Sequence, residues 1–338
     1  MSLAAPVRPT RRVLLPAAIA PTPPPLGGHV HAFEGRTMGT TWAVRLLGAV
    51  ALPRERVQRA IEAALGEVVA QMSTWDADSD LCRFNRAAAG TWHALPDAFH
   101  EVLACAREVA QRSDGAFDPT AGALVDAWGF GPAARGDVPD GVHLAAMRAR
   151  IGWRRLDLDP ARRSVLQPGG LALDLSAIAK GFGVDLVARR LDALGFDSHL
   201  VEIGGELRGS GVKPDGQPWW VRLEHPAAEA DDDTLLALHG VSVATSGDYR
   251  RWFEHAGIRY SHTVDPREGL PLRHGLASVA VVHAQCMLAD AWSTALNVLG
   301  PDAGPALANR LGLAARFLLR DGDGFVERTS AAFDALLQ

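Results

Sequence analysis

Lysine is nearly missing from this chain: of 34 basic residues only Lys180 and Lys213 are lysine, and the other 32 are arginine. An ammonium is a compact, mobile point charge where a guanidinium is a rigid planar fork, so a lysine kept in such a background is consistent with a place where that difference matters. Cysteine is scarce as well. Cys82, Cys105 and Cys286 are odd in number and have no paired short spacing, which argues against a disulfide framework or a CxxC zinc site. A basic excess is absent: 39 acidic residues outnumber the basic ones for a net charge of −5. A surface that tracks nucleic-acid phosphates usually needs the opposite balance, so no nucleic-acid partner is expected. No apolar run approaches the roughly 18 to 20 residues of a spanning helix, so no transmembrane segment is expected. Also missing are GxxxxGK(S/T), GxGxxG after a strand, GxSxG and HExxH, which removes the main support for P-loop, Rossmann, α/β-hydrolase and zincin chemistry.

What is there is a core-forming composition, 48% hydrophobic and 22% charged over 338 residues, enough for one large domain or two of ordinary size. The first 27 residues hold seven of the 21 prolines and end in PTPPPLGG. Such a stretch cannot propagate a helix or join a packed sheet, so residues 1–27 read as a proline-rich leader or linker and residues 28–338 as the folded part. Within the leader, Arg11 and Arg12 before VLLPAAIA, with Ala18-Ile19-Ala20 as an A-x-A site, resemble a degraded secretory signal broken by Pro16.

Periodicity predicts two short strands around a turn at Met38-Gly39-Thr40, then a helix over 54–72 with Val57, Ile61, Leu65, Val68 and Val69 on one stripe. A second helix is expected over about 98–112, a Gly- and Pro-rich loop over 113–137, a short strand over 171–175 and a long helix over about 179–194. Strands follow at 198–203, 219–223, 241–245 and 277–282. A helix over about 286–298 and a further helix and strand end the chain. Helices and strands mix without a regular βαβ beat, which predicts an α+β fold.

Three segments carry candidate chemistry. In LDLSAIAKGFGVD (173–185), Lys180 and Gly181 sit at a predicted helix start, where backbone N–H groups joined by an ammonium make an anion site and Asp174 offers an acceptor. The structural alternative is a solvated lysine and a capping Asp. In LADAWSTALNVL (288–299), Asp290 and Thr294 lie four apart on one helix face, two hard oxygen donors of the kind magnesium accepts. A Thr bonding back into its own helix is the competing explanation. In SVATSGDYRRWFEHAGIRYSHTVDPREGLPL (242–272), His262 lies three residues before Asp265, a spacing open to a shared proton-transfer role or to a plain hairpin turn. Trp128 and Phe130 in FDPTAGALVDAWGFGP (117–132) would wall in a flat ligand, and Trp75 lies in an acidic loop that offers a stacking surface.

Taken in order, MGTTWAV, MSTWDADSDLCRFN, GAFDPTAGALVDAWGFGP, LDLSAIAKGFGVD, VEIGGELRGSG, VATSGDYRRWFE with YSHTVDPREGLP, and MLADAWSTAL resemble the signatures of the ApbE family of FAD:protein FMN transferases over about residues 33–338. The resemblance implies an ApbE-like α+β fold of two lobes, with mixed sheets, packed helices and the active site in the cleft between them. It implies FAD as substrate, cleaved at its pyrophosphate so that FMN passes to a threonine of a target flavoprotein and AMP leaves. Carried over residue by residue, Met38, Trp75, Ala116, Phe117, Asp118, Asp174 and Lys180 would contact FAD, with Val264 near a ring through its backbone. Magnesium would be held by the Ala177 carbonyl, the Asp290 carboxylate and the Thr294 hydroxyl. His262 would be the proton acceptor and a further FAD contact, so that His262, Asp290 and Lys180 form the catalytic set. Ser176 stands where the family commonly has Gly, and Trp75 where it often has Tyr. The family's setting implies a periplasmic or membrane-associated location, but no lipobox cysteine precedes Cys82 and the leader is only weakly signal-like, which leaves a cytoplasmic location open. Two other functions fit the same residues: a magnesium-dependent FAD pyrophosphatase releasing FMN and AMP, and a non-catalytic flavin-binding protein.

Overall fold

One antiparallel sheet of eight strands organises the chain, and its spatial order is its order along the sequence: His29–Thr37, Thr40–Gly48, His199–Ile203, Glu206–Ser210, Val241–Gly247, Leu276–His283, Ala314–Asp321 and Gly324–Thr329. The structure, a computed structural model, describes residues 12–16, 28–132, 138–227, 234–249 and 251–337. The remaining elements are inserted between these strands or lie at the chain ends. The longest insertion, between the second and third strands, carries helices Arg54–Met72, Asp97–Arg112 and Ala179–Ala193 and a small sheet of Thr91–Ala94, Leu158–Asp159 and Ser164–Gln167. Helices and antiparallel strands mix as expected for an α+β chain.

The helices follow from their apolar stripes. In Arg54–Met72 the residues Val57, Ile61, Leu65 and Val68 are buried with Ala64 and Met72, while Val69 sits half-buried at the edge of the stripe. Helix Cys286–Leu311 crosses strands Val241–Gly247 and Leu276–His283 and packs against Ala179–Ala193, which packs in turn against Arg54–Met72. One continuous core joins these layers through Phe182, Val279, Leu296 and Phe317, all essentially inaccessible to solvent. Each such side chain stabilises the fold by about 1.5–3 kcal/mol relative to exposure. The helix expected to end near Val298 runs on to Leu311, but Gly300 at φ 78 breaks its geometry just before Pro301, so two helices meet there.

Three expectations are corrected. Residues 171–175 make no strand beyond a single bridge between Ala172 and Ala121. Side-chain amides serve this apolar segment instead: Asn85 bonds both the N–H and the carbonyl of Leu173, and Gln167 does the same for Leu171. The loop over 113–137 contains a short helix, Gly122–Ala127. In the leader, Arg12–Leu14 pairs in parallel with Thr234–Leu236 and buries Leu14 completely. The rest of the leader, 1–11 and 17–27, lies outside the described residues. Among the described residues no helix is long and apolar enough to cross a membrane.

Candidate active site

The first two sheet strands are joined by a two-residue turn in which both Met38 (φ 48) and Gly39 (φ 72) adopt left-handed conformations. That is the twist-matched hairpin turn, and it is strained at the non-glycine position. It places Met38 on the wall of a cavity of about 410 Å³. All twelve residues that the resemblance assigned to the site line this same cavity: Met38, Trp75, Ala116, Phe117, Asp118, Asp174, Ala177, Lys180, His262, Val264, Asp290 and Thr294; Phe130 lines it too, whereas Gly181, Trp128 and Asp265 are not among its lining residues. The twelve arrive from the first hairpin, the loop after Arg54–Met72, the segment after Asp97–Arg112, the start of Ala179–Ala193, the hairpins before Leu276–His283, and Cys286–Leu311.

The polar centre is a triad that the spacing arguments only half anticipated. Lys180 Nζ donates to Glu206 Oε1 at 2.5 Å and lies 3.8 Å from Asp290 Oδ1. The backbone N–H of Gly181 donates to Asp290 Oδ2 at 3.0 Å. Two helices have to approach closely for this, and Gly181 permits it: a Cβ there would meet the Cys286 carbonyl oxygen at 2.4 Å. The expected open anion site at the helix start is thus partly taken by the Asp290 carboxylate. Burial works against the charge on Lys180, yet Asp290 and Glu206 outweigh it and raise its pKa. Burial pushes Glu206 up to about 7, with Lys180 pulling the other way and Asp290 adding to the rise. Burial likewise raises Asp290 against the pull of Lys180.

Thr294 lies one helical turn beyond Asp290, and its Oγ1 is 3.0 Å from the Ser246 hydroxyl. Asp290, Thr294 and Ala177 line the same cavity, and the carboxylate, hydroxyl and backbone carbonyl they offer are oxygen donors of the kind that suits a hard cation such as magnesium. Among the described residues no group of three His, Cys, Asp or Glu side chains gathers to hold a metal, so a cation here would need hydroxyl, carbonyl or substrate oxygens beside a carboxylate.

His262 sits at the cavity on a column of rings. Trp128 stacks on Tyr260, Tyr260 on Phe253, Phe253 tilts against Phe130, and Phe130 meets the His262 ring edge-on at 6.2 Å between centroids. His262 Nδ1 lies 3.0 Å from the Arg251 carbonyl oxygen, so in the neutral ring Nδ1 carries the proton and donates, leaving Nε2 as the acceptor. Burial lowers its pKa below the ordinary imidazole value, against the pull of that hydrogen bond. The Asp265 offered as its partner is engaged elsewhere: both carboxylate oxygens take bonds from the Arg267 guanidinium.

Other candidates lie in the cavity wall with their side chains already in use. Asp118 accepts from Thr120 and from the Trp153 N–H, which pins its loop. Asp174 accepts from the Ser176 N–H. Trp75 stands 63% exposed at the rim, where a ring can stack on an incoming planar ligand. Glu206 was missed by sequence reasoning. It opens a strand after Gly204 and Gly205, both at positive φ, and the only signal was its place in the VEIGGELRGSG segment.

A family model described as the ApbE family matches residues 38–317. An FAD:protein FMN transferase of Haemophilus influenzae is 38% identical over 318 residues, covering 91% of this chain and 92% of its own. That of Escherichia coli K12 is 33% identical and covers 97% of each chain. The crystal structure of the Pseudomonas stutzeri flavinyl transferase ApbE in its apo form superposes with a TM-score of 0.84 at 44% identity, covering 91% of this chain and 97% of that one.

Proposed function

The chain belongs to the ApbE family and is an FAD:protein FMN transferase, and we propose that it carries out transfer in the cavity around Lys180, Asp290 and His262, a cleft between a lobe built on the eight-stranded sheet and a lobe built on the insertions. The acceptor is a threonine hydroxyl of a target flavoprotein. Its oxygen attacks the phosphorus on the FMN side of the FAD pyrophosphate, the bond to the adenylate phosphate breaks, and AMP leaves with that electron pair. The hydroxyl proton passes to His262 Nε2, kept neutral by burial and held in place by the Arg251 carbonyl and the aromatic column.

The observation that carries the reading is the convergence of an ammonium, a carboxylate and hydroxyl one helical turn apart, and an imidazole on one cavity. Phosphoryl transfer depends mainly on positioning and on charge neutralisation, and Lys180 supplies part of the latter. Ala177, Asp290 and Thr294 would hold magnesium, which when bound neutralises pyrophosphate charge. Met38, Trp75, the 116–118 segment, Asp174 and Val264 orient FAD. Purified protein incubated with FAD, magnesium and a target carrying an acceptor threonine should leave covalent flavin fluorescence on the denatured target. AMP and free FMN without that fluorescence would mean hydrolysis, and neither product would mean binding alone.

A further inference from the structure

Two buried carboxylates share one ammonium beside this cavity, and the arrangement is more costly than a fold requires. The side chains of Glu206 and Asp290 are 5% and 4% exposed, and Lys180 is the cation between them. Glu206 Oε2 is buried with no hydrogen-bond partner. An unsatisfied buried carboxylate oxygen is destabilising, and well-packed apolar residues would serve stability as well or better. The cost therefore points to a task in the site.

We propose that Glu206 is a positioning residue for FMN transfer: it holds the Lys180 ammonium off Asp290, so that Asp290 stays open to the metal ion and the ammonium stays turned to the substrate pyrophosphate. This rests on the transferase reading given above. The geometry supplies the logic. Asp290 Oδ2 is already engaged by the Gly181 N–H, which leaves Oδ1 for a metal. Lys180 Nζ lies 3.8 Å from that same oxygen, and a flexible lysine stem needs to move only a little to close the gap. The 2.5 Å bond to Glu206 Oε1 is what prevents it. Glu206 is itself fixed at the start of a central sheet strand, behind the Gly204-Gly205 turn, so it cannot follow the lysine. Without the Glu206 charge, Lys180 falls onto Asp290 and both oxygens of the metal carboxylate are occupied.

The test is Glu206→Gln in the full-length protein, with Mn²⁺ binding read by the loss of free-ion EPR signal in the absence of substrate. Removing a group that supports a metal ligand typically weakens metal binding about 10- to 100-fold, and that loss is expected here. The magnesium concentration for half-maximal transfer should rise in parallel. Adding Lys180→Met to Glu206→Gln removes the competing ammonium and should return Mn²⁺ binding to the wild-type level, a rescue that a merely structural role for Glu206 would not produce. Wild-type Mn²⁺ affinity in a folded Glu206→Gln protein, or no rescue in the double variant, overturns the proposal. Should Glu206→Gln fail to fold, Glu206→Asp, which keeps the charge but retracts it, gives the same comparison: weaker Mn²⁺ binding supports the proposal and unchanged binding overturns it. The metal measurements need no flavin, so a wild-type protein that shows the predicted Mn²⁺ behaviour but labels no target would fail the transferase reading and leave the role of Glu206 standing.

Discussion

Lys180 occupies a corner that arginine, abundant everywhere else in the chain, fills badly. A guanidinium has a planar fork of donors able to engage Glu206 and Asp290 together, which would tie up the carboxylate proposed to hold the metal. Lys180→Arg should therefore lower the rate of covalent flavin attachment by about tenfold or more with little change in melting temperature. A variant that labels the target at the wild-type rate would make the scarcity of lysine an accident of composition. His262 yields a prediction in pH. Burial lowers its pKa, so the neutral, proton-accepting ring persists to lower pH than an ordinary histidine allows. The rate–pH profile should stay flat as pH falls through about 6.5, the free imidazole value, and decline only below it. An acid limb centred above that value would remove His262 as the base. At this scale much of the site was readable because its residues sit in short segments that fold as units. Glu206 was not, since a Glu at a strand start looks the same whether it faces solvent or an ammonium brought from a distant helix. Of the two readings left open for His262 and Asp265, spacing alone was unable to choose, because nearness in sequence does not decide which neighbour, here Arg267, captures a carboxylate first.

Among the elements, the short strand Arg12–Leu14 shows where composition misleads. Its neighbours are rich in proline, but these three residues are free of it and add an edge to the Trp219–Arg222 and Thr234–Leu238 pair. Leu14 packs with Trp219, Leu236 and Phe333, and Arg12 reaches Glu327, which also receives a bond from Arg316 at 2.5 Å. Burial alone would raise Glu327, but Arg12 and Arg316 outweigh it and hold its carboxyl below the usual carboxylate range. A carboxylate whose pKa is depressed on folding contributes stability that is present above its unfolded value, about 4.3, and is lost as pH falls through the folded one. Arg12→Ala should therefore lower the melting temperature near neutral pH, and the gap from wild type should shrink below about pH 4. A gap that is constant across this range would mean that Arg12 acts through packing alone. The helix Arg54–Met72 was legible because a 3.6-residue stripe is a direct image of a buried face. Residues 171–175 were not, because an apolar run reports burial without saying what satisfies its backbone, and here side-chain amides of Asn85 and Gln167 do so.

For the whole molecule, the sheet meander accounts for how one cavity collects residues from Met38 to Thr294. Each insertion leaves and re-enters the sheet, and the loops and helix starts that line the cavity are held by strands paired across the full width of the chain. No local pattern encodes that register, so the assembly of the site was open to inference through resemblance but not through periodicity. It also means that a ligand in the cavity binds only the folded chain, and its binding free energy adds to global stability. FAD with magnesium at 100 times its dissociation constant should stabilise the protein by about 2.7 kcal/mol. In a chain of this size that is a rise in melting temperature of about 4 °C. Asp290→Asn isolates the metal contribution, because the amide oxygen still accepts from the Gly181 N–H while the charge that attracts the cation is gone. Its melting temperature without ligands should stay close to wild type, the increment from FAD alone should survive, and the additional increment from magnesium should vanish along with transfer. If magnesium stabilises the FAD-bound Asp290→Asn protein as much as wild type, or if transfer persists at saturating magnesium, Asp290 does not hold the metal and the assignment of Ala177 and Thr294 falls with it.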